Sequence, residues 1–319
     1  VATYLVTGGA GFIGSHLAET LVNQGQTVRV IDNFSTGSRA NLAPIADRIE
    51  LFERDITRLD DLREPMSGVD YVLHQAALPS VPRSVADPAG VHEACATGTL
   101  NVLIAARDAG VKRVIYAASS SAYGDIEGEY KTETMPPCPL SPYAASKLAG
   151  EQYCQVFYRV YGLETVVLRY FNVFGPRQDP ASPYSAVIPL FMASMLDDLR
   201  PTIFGDGQQS RDFTYIDNVV RGNLLACSAD GPRVAGQVMN LACGERISLL
   251  DLVAMLNRLL NKSLEPVFAA PRPGDVKHSR ADIARARELL GYEPVVSFED
   301  GLARTLAWFQ DAPHPAPQR

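Results

Sequence analysis

"LVTGGAGFIGSHL", residues Leu5 to Leu17, passes from a β-branched run into an amphipathic one through Gly8, Gly11 and Gly14. Each glycine of such a loop has its own physical task. Gly8 suits a tight turn, Gly11 lets the backbone approach a pyrophosphate, and Gly14 allows close packing of helix on strand. The free amides at the helix start, at Phe12 and Ile13, then face the phosphates. Taken alone the motif is equally a glycine-rich turn without a ligand. Its surroundings decide between the two.

The next strand, "TVRVID", closes on Asp32, about 20 residues beyond the loop, where a carboxylate can accept the hydroxyls of an adenosine ribose. A carboxylate at that point repels a 2'-phosphate, so NAD is expected rather than NADP. Asp55, closing the third strand, is within reach of the adenine, or else caps the following turn. The wider alternation supports the same reading. "TYLVT", "TVRVID", "IELFERD", "VDYVLH", "KRVIYAAS" and "ETVVLRY" are continuous apolar runs, as strands covered on both faces should be. Between them, Phe12–Gln24, Leu59–Met66, Val91–Ala109 and Tyr143–Tyr161 carry helical periodicity. The fold class is therefore α/β, a doubly wound parallel sheet (Rossmann) with its crevice beyond the carboxyl ends of the strands.

After Tyr170 the alternation stops, and Gly, Pro and polar residues crowd "FNVFGPRQDPASP", "DLRPTIFGDGQQSRD" and "APRPGDVKHSR". A smaller mixed α/β lobe is expected there, with helices at Ser248–Leu260 and Ala281–Leu290. The division expected is residues 1–171 with 212–242 for the dinucleotide domain, and 172–211 with 243–319 for a substrate lobe. The tail "DAPHPAPQR" reads as frayed.

The 319 residues, 46% hydrophobic and 20% charged, suffice for a large core. A net charge of -7 argues against an electrostatic partnership with nucleic acid or an anionic membrane. The five cysteines, Cys95, Cys138, Cys154, Cys227 and Cys243, form no CxxC pair and have no histidines at metal-ligand spacing. Buried thiols in a reducing compartment, and no metal, are the expectation. With no basic leader followed by an apolar run and no apolar stretch near the roughly 18 residues of a spanning helix, a soluble cytoplasmic protein is expected.

Chemistry enters at "SPYAASK", Ser141 to Lys147. Ser141 suits an N-cap and Pro142 the first helical position, so Tyr143 and Lys147 fall on one helix face at i and i+4. Alone, the heptapeptide is an ordinary helix start. Upstream, however, "YAASSSAYG" delivers Ser119, Ser120 and Ser121 to the carboxyl edge of the sheet. A phenol has a reference pKa near 10 and becomes a useful base only when positive charge stabilises its phenolate. Lys147 and an oxidised nicotinamide would both supply that charge.

The ordered motifs TGGAGFIGSH, HQAA, SSSAYG, SPYAASK, LRYFNVFGPR, SRDFTYIDN and RPGDVKHSRADI resemble the extended short-chain dehydrogenase/reductase superfamily, and within it the UDP-hexose 4-epimerases. The likeness runs from Tyr4 to about Trp308. It implies that Tyr143 takes the proton of the sugar 4-hydroxyl, that Lys147 holds the nicotinamide ribose and tunes Tyr143, and that Ser119 bonds the sugar O4. Which of Ser119, Ser120 and Ser121 meets O4 is left open. Transient oxidation at C4 and return of hydride to the opposite face is the implied reaction. On the same basis the cofactor site takes in Asn33, Ser35, Thr36, Gly37, Ile56, Gln75, Ala76, Ala77 and Phe171. Ser80, Arg83, Asn172, Val187, Phe204, Arg211, Arg272, Asp275 and Ser279 are expected at the UDP-sugar. Arg211 and Arg272 also stand on their own chemistry, as planar phosphate donors in an acidic chain. A homodimer through the Val91–Ala109 and Tyr143–Tyr161 helices, as a four-helix bundle, is implied as well.

Dehydratases and decarboxylases of this superfamily usually carry a carboxylate just after the hydroxyl residue, where this chain has Ser120 and Ser121. Epimerisation is accordingly preferred, with a dehydratase or decarboxylase and a non-catalytic dinucleotide sensor as the alternatives. Ser279 aligns with a position where Tyr narrows related pockets, and "SVPRS", Ser80 to Ser84, resembles the branch acting on UDP-N-acetylhexosamines. UDP-GlcNAc and UDP-GalNAc are thus the expected pair, with UDP-Glc and UDP-Gal second. One departure is "CATGT", which puts Cys95 where relatives have an asparagine near the cofactor side of the sheet.

Overall fold

The computed structural model describes residues 1–179, 186–271 and 277–311. The six expected strands form as β1 (Thr3–Thr7), β2 (Thr27–Asp32), β3 (Glu50–Glu53), β4 (Tyr71–His74), β5 (Arg113–Ser119) and β6 (Glu164–Tyr170). A seventh, Gln237–Leu241, joins the edge beside β6, giving the order Gln237–Leu241, β6, β5, β4, β1, β2, β3. Every pairing in this sheet is parallel. Strand order reverses between β1 and β4, and a crevice opens at such a switch point.

Alternation along each strand feeds two apolar cores. Val6, Val30, Leu73 and Ile115 enter one, and their neighbours Leu5, Ile31, Val72 and Val114 enter the other. Successive side chains of a strand point to opposite faces, so continuous apolar runs are what a sheet covered on both sides requires. All eight are fully buried, each contributing about 1.5–3 kcal/mol of burial. The first core continues without a break through Leu249, Leu252, Phe298 and Leu302.

The helix expected over Val91–Ala109 divides into Pro88–His92, a π-helical turn Glu93–Thr97 and Gly98–Asp108. Thr99 Oγ1 donates to the Cys95 carbonyl at 2.6 Å inside this turn. A Cβ on Gly98 would come within 2.6 Å of Ile56, so the helix restarts at a glycine pressed onto the end of the third strand.

Beyond Tyr170 stand longer elements that periodicity did not single out, among them helices Val187–Leu196, Ile216–Ser228 and Phe298–Asp311, and the seventh strand. Helix Ile216–Ser228 packs against Phe12–Asn23, and Arg113, 1% exposed, closes its end. The Arg113 Nη1 donates to the carbonyls of Ala226 (2.8 Å), Cys227 (3.0 Å) and Ala229 (2.9 Å). No local sequence signal joins Arg113 to residues more than a hundred positions away. The expectation of buried thiols holds for Cys95, Cys154 and Cys227, but Cys138 is exposed. It lies in the loop after the serine run, where its amide donates to the Ala122 carbonyl at 2.9 Å.

Candidate active site

At the carboxyl ends of the strands lies a cavity of about 1180 Å³. Gly8 turns there at φ +67°, and a Cβ on it would meet the Ala76 backbone at 2.7 Å. A Cβ on Gly14 would come within 2.2 Å of the Gly8 carbonyl. Helix Phe12–Asn23 can therefore approach β1 only with glycine at both places. Its first amides open onto the cavity without a side-chain cap. Asp32, at the end of β2, accepts from the amides of Ala10 (2.9 Å) and Phe34 (2.8 Å), while burial pushes its carboxyl up. Asn33 donates to Asp55 at 3.1 Å and joins the ends of the second and third strands.

The cavity wall contains every cofactor-site residue expected from the sequence except Phe171. Phe171 is fully buried in the larger core, tilted against Tyr123. Its neighbour Tyr170 lines the cavity instead. Phe171 stands just beyond the end of β6 and is the more deeply buried of the two. The Tyr170 hydroxyl reaches Gln75 (3.2 Å) and Asn223 (3.0 Å) and so ties the end of β4 to the Ile216–Ser228 helix.

Tyr143 and Lys147 stand on helix Pro142–Tyr161, which starts as expected. Ser141 Oγ accepts the Ala144 amide at 3.1 Å, and Gly162 ends the helix at φ +73°. Both side chains line the cavity. Ser119 lies beside Tyr143, and the hydrogen bond between them lowers the phenol's pKa. The Ser119 oxygen also accepts from Ser121, from its hydroxyl at 2.8 Å and its amide at 3.2 Å. Burial pushes the Tyr143 phenol well up, the Cys95 thiol adds to that, and Ser119 opposes them. Burial likewise lowers the Lys147 ammonium, which has no carboxylate partner among the described residues.

A second cavity, of about 270 Å³, adjoins the first, sharing Val173 and Ala186. Asn172, Val187, Phe204 and Arg211 line it. Ser80 and Arg83 line the first cavity, with Ser80 strained at φ +120°. Ser119, Ser120, Ser121 and Ser279 line neither. The Ser279 amide donates to the Ser210 carbonyl at 3.1 Å, next to Arg211. Arg272 and Asp275 lie outside the described residues.

Asp212, wholly buried, holds these loops together by accepting from the amides of Cys243 (3.0 Å), Gly244 (3.0 Å) and Ala281 (3.1 Å). Burial pushes its carboxyl up to about 7 even though the three amides favour the charged form. A carboxyl raised on folding contributes stability that is full below its ordinary value of 3.8 and is lost as pH rises through about 7. The melting-temperature advantage of the parent over Asp212→Asn should therefore shrink from pH 4 to pH 8. A constant difference would show that Asp212 does not titrate in that window.

The NAD dependent epimerase/dehydratase family model matches residues 4–242. The chain belongs to that family. NAD is its cofactor, and the residues present fit one. Two glycines admit close backbone approach, Asp32 stands where a ribose diol would be bonded, and a buried cation lacking a carboxylate faces the cavity. The chain is similar to the solved UDP-glucose 4-epimerase of Thermotoga maritima with UDP-glucose, at 39% identity and TM-score 0.92, covering 97% of this chain and 99% of that one. It is similar also to a UDP-N-acetylglucosamine 4-epimerase from Methanobrevibacter ruminantium solved with UDP-N-acetylmuramic acid, at 38% identity, TM-score 0.92 and coverage of 97% and 98%. The UDP-glucose 4-epimerase of Mycolicibacterium smegmatis is 37% identical over 316 residues, 96% of this chain and 98% of that protein.

Sequence reading missed cavity residues as well as Tyr170. Arg177, at φ +70°, lines the first cavity, donates to Ser15 at 3.2 Å and pairs with Glu19 of the first helix. Its place directly after "FNVFGP" was the available signal. Trp308 lines the same cavity from helix Phe298–Asp311, and nothing local in the sequence marks it.

Proposed function

We propose that the protein is a UDP-hexose 4-epimerase that interconverts UDP-GlcNAc and UDP-GalNAc, with UDP-Glc and UDP-Gal as a second pair. The observation that carries this reading is Tyr143, backed by Ser119 and followed one turn later by Lys147, on the wall of a cavity that adjoins a second, Arg211-bearing one. Residues 1–171 and 212–242 hold the dinucleotide, and 172–211 with 243–319 grip the nucleotide sugar. NAD, when bound, supplies the acceptor and donor of the C4 hydride. The chain's own groups manage the proton. Tyr143 Oη removes it from the sugar 4-hydroxyl and returns it, Ser119 orients that hydroxyl, and Lys147 binds the ribose beside the nicotinamide. Arg211 pairs with the diphosphate and Phe204 lies under the base, so the nucleotide stays in place while the sugar turns.

Ser120 and Ser121 favour epimerisation over elimination, since neither can exchange a second proton as a carboxylate does. Incubation with UDP-GlcNAc without added NAD, followed by separation of the sugars, tests the proposal. The 4-epimer is the expected product. A deoxyketo sugar, or carbon dioxide from an acidic sugar, would make the protein a dehydratase or decarboxylase, and an absence of product would make it a sensor.

Small size at Ser279 underlies the preference for the acetylated pair. Ser279→Tyr should cut turnover of UDP-GlcNAc about tenfold more than that of UDP-Glc, as expected for steric exclusion of a few atoms. Equal losses would remove Ser279 from the specificity account. The exposed apolar stripe Tyr153 (38%), Val156 (45%) and Val160 (65%) lies along one side of the Tyr143 helix. It supports a homodimer through that helix.

A further inference from the structure

Lys147 is only 3% exposed and lacks a carboxylate partner among the described residues, so something else must hold its charge. Its Nζ stands 4.5 Å from the centroid of the Tyr116 ring. The Tyr116 hydroxyl donates to the Lys147 carbonyl at 3.1 Å. Tyr116 can reach that carbonyl only because position 150 is glycine, where a Cβ would come within 2.3 Å of the Tyr116 oxygen. We propose that Tyr116 is the positioning residue of Lys147, its ring face seating the ammonium.

A buried polar chain holds the Tyr116 ring in turn. Thr99 Oγ1 gives its proton to the Cys95 carbonyl at 2.6 Å, so its oxygen accepts from His74 Nε2 at 3.0 Å. His74 Nδ1 then carries no proton and accepts from the Thr7 hydroxyl at 2.7 Å, while Thr7 accepts from the Ala76 amide at 3.3 Å. The chain runs in one direction through a neutral imidazole, from the cavity wall at Ala76 to the π-turn at Cys95. The His74 ring packs on Tyr116 with centroids 5.5 Å apart. Protonating His74 would leave two N–H groups facing hydroxyls already committed, and burial together with the Lys147 charge holds its pKa near 3. Burial explains why the arrangement uses a π face. An ammonium over an aromatic ring keeps its charge without adding a carboxylate that would repel a nearby phenolate.

The titratable groups around Lys147 are His74 from β4, Tyr116 from β5, Cys95 from the π-turn, and Tyr143 and Cys154 from its own helix. Weakening the Tyr116 ring face should lower the ammonium's pKa, so activity should decline at a lower alkaline pH.

The experiment compares Tyr116→Phe, which keeps the ring face and loses the hydroxyl, with trifluorophenylalanine at position 116, which also lacks the hydroxyl but depletes the face. Two readouts are taken on each purified holoprotein: NAD retained per chain, and the pH profile of kcat with UDP-GlcNAc. The fluorinated protein should retain about fivefold less NAD under dilution and move the alkaline limb down by about one pH unit. Tyr116→Phe should leave both near the parent, with KM unchanged in either. An unchanged limb and NAD content in the fluorinated protein would overturn the proposal, as would equal shifts in the two variants. The inference rests on reading Tyr143 and Lys147 as the reacting pair. An active Tyr143→Phe enzyme would sink that reading, whereas NAD retention tests the contact of Tyr116 with Lys147 separately.

Discussion

Tyr143→Phe should lower kcat for 4-epimerisation by about a thousandfold, the middle of the range for a positioned acid/base group, and leave the fold intact. Only the hydroxyl is lost, and its hydrogen-bond partner Ser119 keeps Ser121 as a partner. Melting temperature and NAD content should therefore match the parent, which separates lost chemistry from lost structure. The pH dependence has a definite sign. Burial pushes the phenol up and Ser119 offsets only part of that, so the active phenolate is favoured as pH rises. In the parent kcat should climb with pH on its acid limb. Ser119→Ala should move that limb to higher pH by removing the hydrogen bond that opposes burial. Rates in Tyr143→Phe within tenfold of the parent would mean that another group moves the proton.

Glu151→Leu is the substitution expected to cost the most stability. Tyr143, Lys147 and Glu151 recur at i, i+4 and i+8, so one helix face carries all three. Glu151 receives Arg169 of β6 in a two-pronged pair at 2.9 and 2.6 Å, with side chains 2% and 3% exposed. The Arg169 guanidinium also lies 4.6 Å from the Tyr123 ring centroid, while its Nη1 has no partner among the described residues. Removing the carboxylate would strand a buried charge at a cost of about 3–5 kcal/mol. Replacing both partners, Glu151→Leu with Arg169→Met, should recover most of that loss. Urea unfolding of the two variants decides the matter. A single variant as stable as the parent would show that water reaches Arg169 and that the pair is not what anchors the helix.

Local chemistry made much of this molecule readable. Five of the six sheet strands were visible because burial on both faces demands largely apolar runs, whereas the edge strand β3, Glu50–Glu53, is mostly exposed and departs from that expectation. The turn at Gly8 and the start of the Tyr143 helix were visible because left-handed φ and N-capping need particular residue types close together. The seventh strand was harder, since "QVMNL" is short and stands apart from any following helical crossover. Helix Ile216–Ser228 carries two asparagines and a glycine, which weakens its propensity, and its stability comes from packing on the first helix and from the Arg113 cap.

The amino-acid order by itself determined which residues could do chemistry: a glycine loop, an acid after the second strand, and a tyrosine, a lysine and a serine at the right offsets. Those are short-range facts, set by spacing along single elements. Tertiary structure alone decided what surrounds them. It made Tyr170 rather than Phe171 the cavity residue, brought Trp308 and Arg177 to the wall, raised the Tyr143 phenol by burial, and set Lys147 over a ring from another strand. Burial and cross-strand contact depend on where distant segments meet, and a linear pattern carries no term for that.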